Sequence, residues 1–564
     1  MKKISLKILV ILLLVEIFIF NFNSFRVLND ENKLIFTEKD FIYLENSEKN
    51  ATYIEIKNIN TEIKTFHIKL KDTDVVEYKF LYTDETTKEL GGAIRSKVYV
   101  DTIENSKYMP CYLSGNSHGF AVKIYKGNAQ IESMTINEKI PFNFNYTRVI
   151  LLYLIIISIY LIKTHEIFKQ PFHEKNLKQE LILCFIVIIF LCIILYINIL
   201  SREENYDFYC KDFVDAIIKG QTYLEQIPDA KLSELENPYD FSQRRNAGIA
   251  YLWDAAFYEG KYYIYFGILP ALILMIPYHI LTGEYILTAT AVLIFSAFSV
   301  ISLTILIRNI YITFFKEQTF KTLVYSLLIT LFGSQVILLN GTPNLYILPI
   351  VSGIFFVVTG INFIFLATKK NQIKYKYLFL ACLCLATSVA CRPTQLISSL
   401  IILPLIVKLL IQNIKAKRNI IKIICSVGIP YAVVGISLML YNYIRFDSIF
   451  EFGASYQLTI NDMSNLKNRF MVIGMGIICN LFSIPIIGPN FPYIISNKNI
   501  MSFYGYYYFE SMIGGLFFLV PVIFSIFNIY KIYKHTTNKK LLYFIIILIC
   551  TRKYYEYFKC NDGR

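Results

Sequence analysis

Four acidic side chains and four arginines stand beside the ends of long apolar runs in this 564-residue chain, and they are where chemistry is expected. Glu203, Glu204 and Asp207 open a polar loop directly after an apolar run that ends near residue 200. The loop continues through Arg244 and Arg245 to Trp253 and Asp254, and closes on Lys261, Tyr262 and Tyr263. Arg392 and Arg445 each follow a further apolar run. Carboxylates in such places take protons or bind cations. Planar guanidinium forks pair with phosphate through two parallel hydrogen bonds. Taken singly, each charge reads as solvated loop surface. Taken together, an acid near a span's end, an interfacial helix and a basic–aromatic stretch read as a site.

The element that must position the first acids is the segment "SREENYDFYCKDFVDAIIKGQTYL". Phe208, Phe213, Val214, Ile217 and Ile218 share one broad helical face, while Asp207, Lys211 and Asp215 recur every four residues on another. This predicts an amphipathic helix lying in the membrane interface, ended by Gly220. The second element, "KYYIYFGILPALILMIPYHILTG", is apolar for about 20 residues, the usual length of a crossing. Pro270 and Pro277 each remove a helix hydrogen bond, which suits a broken or interfacial helix better than a straight span.

The wider chain predicts a polytopic α-helical membrane protein. It is 55% hydrophobic, and apolar runs recur from residue 147 onward. The net charge of +14 does not point to nucleic acid, because the basic residues collect in short loops between apolar runs. Six such clusters, Lys2–Lys7, Lys163–Lys178, Arg308–Lys321, Lys369–Lys376, Lys415–Lys422 and Lys531–Lys540, belong in the cytoplasm by the positive-inside rule. An even number of crossings must separate consecutive clusters. About 11 spans satisfy this: 7–21, 147–163, 180–200, 284–307, 321–340, 345–367, 376–391, 395–412, 420–441, 508–530 and 540–551. The pairing holds only if 263–282 and 470–489 do not cross.

Residues 1–22 read as an uncleaved anchor, with a basic start, an apolar core and no small-x-small cleavage site. Glu16 lies inside it, where a bare charge costs about 2.5–3.5 kcal/mol. Protonation or a polar partner is expected there. Residues 23–146 are different in kind. "TYIEIKNIN", "FHIKLK", "VVEYKFLYTD" and "GFAVKIYKG" alternate apolar and polar side chains, which predicts an extracytoplasmic β-sandwich. Residues 147–179 supply the second span and a cytoplasmic loop, 180–551 the membrane core with outer loops 201–262 and 446–507, and 552–564 a polar, patternless tail.

Several chemistries find no motif. There is no P-loop, no convincing dinucleotide-binding glycine pattern, no HExxH and no CxxC. Most of the 11 Cys lie inside apolar runs as small packing residues. A disulfide between Cys111 and Cys210 is permitted, since both fall in segments placed outside the cell.

With these residues in view, the chain resembles the GT-C superfamily of integral-membrane glycosyltransferases, the group holding protein mannosyltransferases and aminoarabinose transferases. The resemblance lies in layout over about 180–530. The span 180–200 leads to an outer loop with acids at its start and a juxtamembrane helix ending in Gly220. The second juxtamembrane element precedes the next crossing. "LATSVACRPTQL" ends a span at Arg392, and "YNYIRFDSIFEFGASYQLT" resembles a stretch in bacterial members with large N-terminal additions. Two departures stand out. The superfamily's paired acids fall here near Asn205, so Asp207 is preferred as the catalytic acid with Glu203 and Glu204 as alternatives. The chain also stops soon after "LLYFIIILIC", where such proteins usually continue with further spans, so a truncated C-terminus is expected.

The resemblance implies transfer of a sugar from a polyprenyl-phosphate donor in the bilayer to an extracytoplasmic glycan, lipid or protein. Asp207 would act as general base, a role worth roughly 10²–10⁴ in rate. Arg392 and Arg445 would stabilise the charge growing on the leaving phosphate. Arg244 and Arg245 could reach the same place, and Asp254 would bind the sugar with Trp253, Tyr262 and Tyr263 stacking on it. A divalent cation, Mg²⁺ or Mn²⁺, is permitted at Asp207 or Asp254. Lys-, Ile- and Asn-rich usage suggests an AT-rich bacterial genome, hence a bacterial plasma membrane. Two other readings remain open: a transporter or flippase for a lipid-linked glycan, which would need charges in mid-span, and a non-catalytic glycan-binding envelope protein.

Overall fold

The computed structural model describes residues 2–27, 32–43, 51–71, 75–85, 92–113, 115–125, 130–202, 211–265, 267–368, 373–415, 420–460, 462–464, 469–487, 494–495, 500–503, 506–509, 514–520 and 523. Met1–His165 forms one compact unit, and Glu166–Ile487 belongs to a second.

In the first unit, the alternating segments become strands of two sheets. One sheet has the order β2–β3–β8–β5–β6 (Ile42–Tyr43, Ala51–Thr61, Ser117–Tyr125, Val75–Tyr82, Gly92–Val100), and every pairing is antiparallel. The other runs β1–β9–β4–β7 (Leu34–Phe36, Gln130–Ile136, Thr65–Lys71, Tyr108–Pro110). The register sets Ile54 opposite Val122 and Ile56 opposite Phe120, so one face of each strand is apolar and buried. Phe66 from one sheet meets Phe80 and Phe120 from the other, with ring centroids 4.5 and 5.7 Å apart. This is the expected sandwich, closed by aromatic contact. Cys111 is a buried free thiol in that core; Cys210 lies outside the described residues.

Two helices complete the unit. Lys2–Val15 continues as a π turn, Glu16–Phe20, and Tyr146–Thr164 packs beside it. Glu16 is 1% exposed. Arg148 forks onto it, Nε donating to Oε2 at 2.8 Å and Nη2 to Oε1 at 2.5 Å. The backbone N–H of Asn145 adds a third bond at 3.0 Å. The polar partner expected for Glu16 is therefore Arg148, and the pair ties the two helices together.

In the second unit, Leu177–Leu200, Thr288–Phe314, Ile347–Ala367, Tyr375–Cys391 and Ile421–Phe446 pack in that order, each on the next. Among the described residues, seven helices are long and apolar enough to cross a membrane: 146–164, 177–200, 288–314, 320–340, 347–367, 393–415 and 421–446. Buried amides join the bundle. Asn198 Nδ2 donates to Ala289 O at 3.0 Å and to Asn340 Oδ1 at 3.1 Å, and Asn340 Nδ2 donates to Ser296 Oγ at 2.8 Å.

The two apolar stretches set aside by the pairing of spans are short helices. Ala271–Thr282 begins as a π turn behind Pro270, and Gly283 ends it in the left-handed region. Twelve residues reach about 18 Å, well short of a ~30 Å hydrocarbon core. Arg469–Phe482 is likewise too short at 14 residues. Most of the expected crossing 508–530 lies outside the described residues; within it are the end of a strand, Tyr506–Phe509, and one helical turn, Leu516–Leu519. Just before that turn, Gly515 runs against the backbone of Leu481, where a Cβ would come within 2.5 Å. The expected crossing 540–551 lies outside the described residues.

Candidate functional site

The loop after the 177–200 helix folds against the bundle. Asp212–Ile218 is a helix that buries Phe213, Val214 and Ala216, and Gly220 follows in the left-handed conformation, as expected for its stop. Ile218, assigned to the apolar face, is exposed. Asp215 on the opposite face accepts a bond from the Tyr285 hydroxyl at 2.5 Å, which docks the helix against the entry to the 288–314 helix. This bond, with burial, pushes the Tyr285 hydroxyl up to about 12. Burial also raises the Asp212 carboxyl above its ordinary range. Glu203, Glu204 and Asp207 lie outside the described residues.

A two-residue turn organises the other end of the loop. Ala256–Tyr258 pairs with Lys261–Tyr263, and Glu259 and Gly260 both take positive φ, the demand of a tight hairpin. The stretch after the 421–446 helix adds to this hairpin. Asp254 N donates to Leu458 O at 3.1 Å, Leu458 N returns to Ala255 O at 3.0 Å, and Ala256 pairs with Gln457. Asp254 sits at this seam with φ +62° and 2% exposure. Its carboxylate accepts bonds from the Tyr265 hydroxyl at 3.1 Å and from Gln457 Nε2. Asp254 thus joins segments some 200 residues apart and presents little free oxygen to a ligand.

The remaining expected residues divide by exposure. Arg244 is fully buried. It donates to the carbonyls of Pro238 at 2.6 Å and Thr459 at 2.5 Å, and lies 4.7 Å from the Tyr251 ring. Tyr262 and Tyr263 are buried too: the Tyr262 oxygen accepts from Leu252 N, and Tyr263 packs on Phe446 with centroids 5.2 Å apart. Both rings therefore face protein. Trp253 is exposed beside Tyr251 and Phe241, and Arg245, in the helix that carries Phe241, is also exposed. These two remain presented to solvent for a ligand.

Arg445 occupies a different setting, in the last turn of the 421–446 helix. It is 4% exposed and lies 3.9 Å from the Tyr441 ring and 4.6 Å from that of Phe446. It donates to Ile264 O at 2.6 Å and Asn442 Oδ1 at 2.8 Å, but its Nε has no hydrogen-bond partner. Among the described residues no carboxylate lies within ion-pair distance of it. Glu451, the acid nearest along the chain after Asp447, is committed to Gly453 N at 2.7 Å and Ser455 Oγ at 2.8 Å. Arg445 lines a narrow cleft with Tyr265, Tyr441, Asn442 and Phe452, roomy enough for one water-sized group.

Ala390 and Pro393, on either side of Arg392, line the same cleft. The close approach that brings them there depends on Gly267, where a Cβ would stand 1.7 Å from the Cys391 carbonyl oxygen. The structure thus gathers the ends of two apolar helices around Tyr265, Gly267 and Ile268, with Arg445 lining the cleft between them. Sequence reasoning missed Tyr265, Asn442 and Gln457. Only Asn442 had a local signal, three residues before Arg445 on the same helix face.

Among the described residues no three His, Cys, Asp or Glu side chains come together; of the two expected cation ligands, Asp207 lies outside them. No family model matches the chain, and no curated protein or solved structure is detectably similar to it.

Proposed function

We propose that the protein is a membrane-embedded glycosyltransferase of the GT-C kind, taking its sugar from a polyprenyl-phosphate donor on the extracytoplasmic side of a bacterial membrane. One observation carries the reading: Arg445 is a buried cation with no ion-paired acid among the described residues, facing a cleft at the end of an apolar helix. Burying an unpaired charge is costly, and proteins seldom retain one without a counter-charge to meet. A lipid phosphate reaches that depth and supplies it.

In this reading Arg445 holds the donor phosphate and Arg392, at the end of the neighbouring helix, completes the clamp. As the glycosidic bond breaks, negative charge grows on the phosphate oxygen, and these cations stabilise it more than the ground state. Asp207, with Glu203 and Glu204 as alternatives, takes the proton of the acceptor hydroxyl. Trp253 and Arg245 meet the acceptor at the exposed edge. The cleft is narrow, so donor entry requires the segment 447–453, which carries Phe452, to swing aside.

The test is consumption of lipid-linked sugar in membranes carrying Asp207→Asn or Arg445→Lys. Asp207→Asn should lower turnover by roughly 10²-fold or more with donor binding retained. Arg445→Lys should mainly weaken donor use, because a lysine cannot reproduce the two-pronged contact. Wild-type turnover in both would remove the assignment.

A further inference from the structure

The 1–165 unit holds a second polar site that the transferase reading does not use. A cavity of about 240 Å³ opens where the 2–20 helix and the 146–164 helix meet the sandwich. Among the described residues its lining includes five asparagines, Asn21, Asn23, Asn105, Asn143 and Asn145, and two cations, Lys97 and Arg148, but no acid.

The two cations are not equivalent. Arg148 is spent on Glu16. Lys97 donates to the carbonyls of Asn105, at 2.7 Å, and Tyr108, and has no carboxylate partner among the described residues. An ammonium has three donors, so one remains for a ligand. Burial pulls Lys97 down to about 8, the mark of a cation short of counter-charge. The amides are also partly uncommitted. Asn23 Oδ1 is taken by the Tyr112 hydroxyl and Asn145 Oδ1 by the backbone N–H of Arg148, which leaves both Nδ2 groups as donors without a described partner. Asn145 also caps the 146–164 helix, whose positive end therefore opens beside the cavity.

Lone donors around one cation, with no acid, fit an oxygen-rich anion. The surroundings say where it comes from. Phe18, Phe22, Phe25 and Phe142 are exposed around the same helix ends, with Phe25 6.3 Å from both Phe18 and Phe142. Exposed aromatics at the end of apolar helices mark the headgroup layer of a bilayer. We propose that this cavity binds the phosphate-bearing head group of a membrane lipid, with Lys97 supplying the charge and the asparagine amides the neutral hydrogen bonds. The site rests on the 1–165 unit alone and stands whether or not the helix bundle transfers sugar.

The test is lipid retention by the full chain, purified from nanodiscs of phosphatidylcholine with increasing phosphatidylglycerol and read by native mass spectrometry. Wild type should retain phosphatidylglycerol over phosphatidylcholine. Lys97→Met should lose about tenfold, the worth of one charge-assisted hydrogen bond. Asn143→Asp, an exposed change that places a negative charge at the rim, should lose a similar amount without touching the fold. Lys97 is charged below its pKa, so retention should be full near pH 7 and fall as the pH rises through about 8. Equal retention by wild type and both variants, or no preference for phosphatidylglycerol, would overturn the proposal. Soluble glycerol phosphate displacing nothing supports a lipid source; glycerol phosphate binding as tightly as the lipid would overturn that assignment.

Discussion

Two buried charges in this protein are handled in opposite ways. Glu16 lies deep between two apolar helices and receives a bidentate arginine together with a backbone N–H. Arg445 is buried to nearly the same degree, yet it meets only a carbonyl, an amide oxygen and aromatic faces, with Nε left over. Once every lone pair is answered, a charge holds helices together and has nothing left for a ligand. A charge kept in apolar surroundings without its counter-ion is poised to receive one. The contrast teaches that burial alone does not separate scaffold from site; the state of the partners does.

The largest expected effect breaks the paired charge. Arg148→Met should strand Glu16 and cost roughly 3 kcal/mol, read as a lowered melting temperature in detergent. Adding Glu16→Gln should recover most of that loss, because the stranded charge is gone. Arg445→Met should behave differently. It orphans the Ile264 carbonyl and the Asn442 amide oxygen but removes a buried charge at the same time, so the melting temperature should change little. If both single variants melt alike, the distinction between the two charges fails.

Smaller effects sharpen the picture around Arg445. Gly267→Ala forces a methyl into the Cys391 carbonyl and should cost about 1–3 kcal/mol while disturbing donor use, since Tyr265, Gly267 and Ile268 line the cleft. Asp254→Ala removes the acceptor for Tyr265 and Gln457. It should raise hydrogen exchange across 254–258 and 454–460 and cost about 1–2 kcal/mol. The smallest effect is at Tyr285. Its pKa is raised above the unfolded value by Asp215, so the bond's contribution is complete below pH 10 and is lost as pH rises through about 12. Tyr285→Phe should remove that pH dependence and cost at most about 1 kcal/mol, because the pair is partly solvated.

Much of the architecture was legible because it is written in local periodicity. Alternation in "FHIKLK" gave a strand burying Phe66, Ile68 and Leu70, and the apolar runs gave the long helices within a few residues of their ends. The parity of basic clusters set 263–282 and 470–489 aside, and the described helices there, Ala271–Thr282 and Arg469–Phe482, are short. Partners across long sequence separations had no such signature. Arg148 is 132 residues from Glu16, and Gln457 is 203 from Asp254. Nothing near Asp254 shows that its oxygens will be consumed by a distant loop, and nothing near Arg445 shows that no acid will arrive. Within the expected span 508–530 the described turn at 516–519 is preceded by the close contact at Gly515, which hydropathy does not register.

The most direct test of the lone-cation claim is retention of polyprenyl phosphate by the purified full chain, wild type against Arg445→Met, with melting temperature measured on the same samples. The expected result is at least about a tenfold loss of retention in the variant at an unchanged melting temperature. Equal retention at an unchanged melting temperature would show that Arg445 meets no phosphate, and a collapsed melting temperature would show that it serves the fold instead.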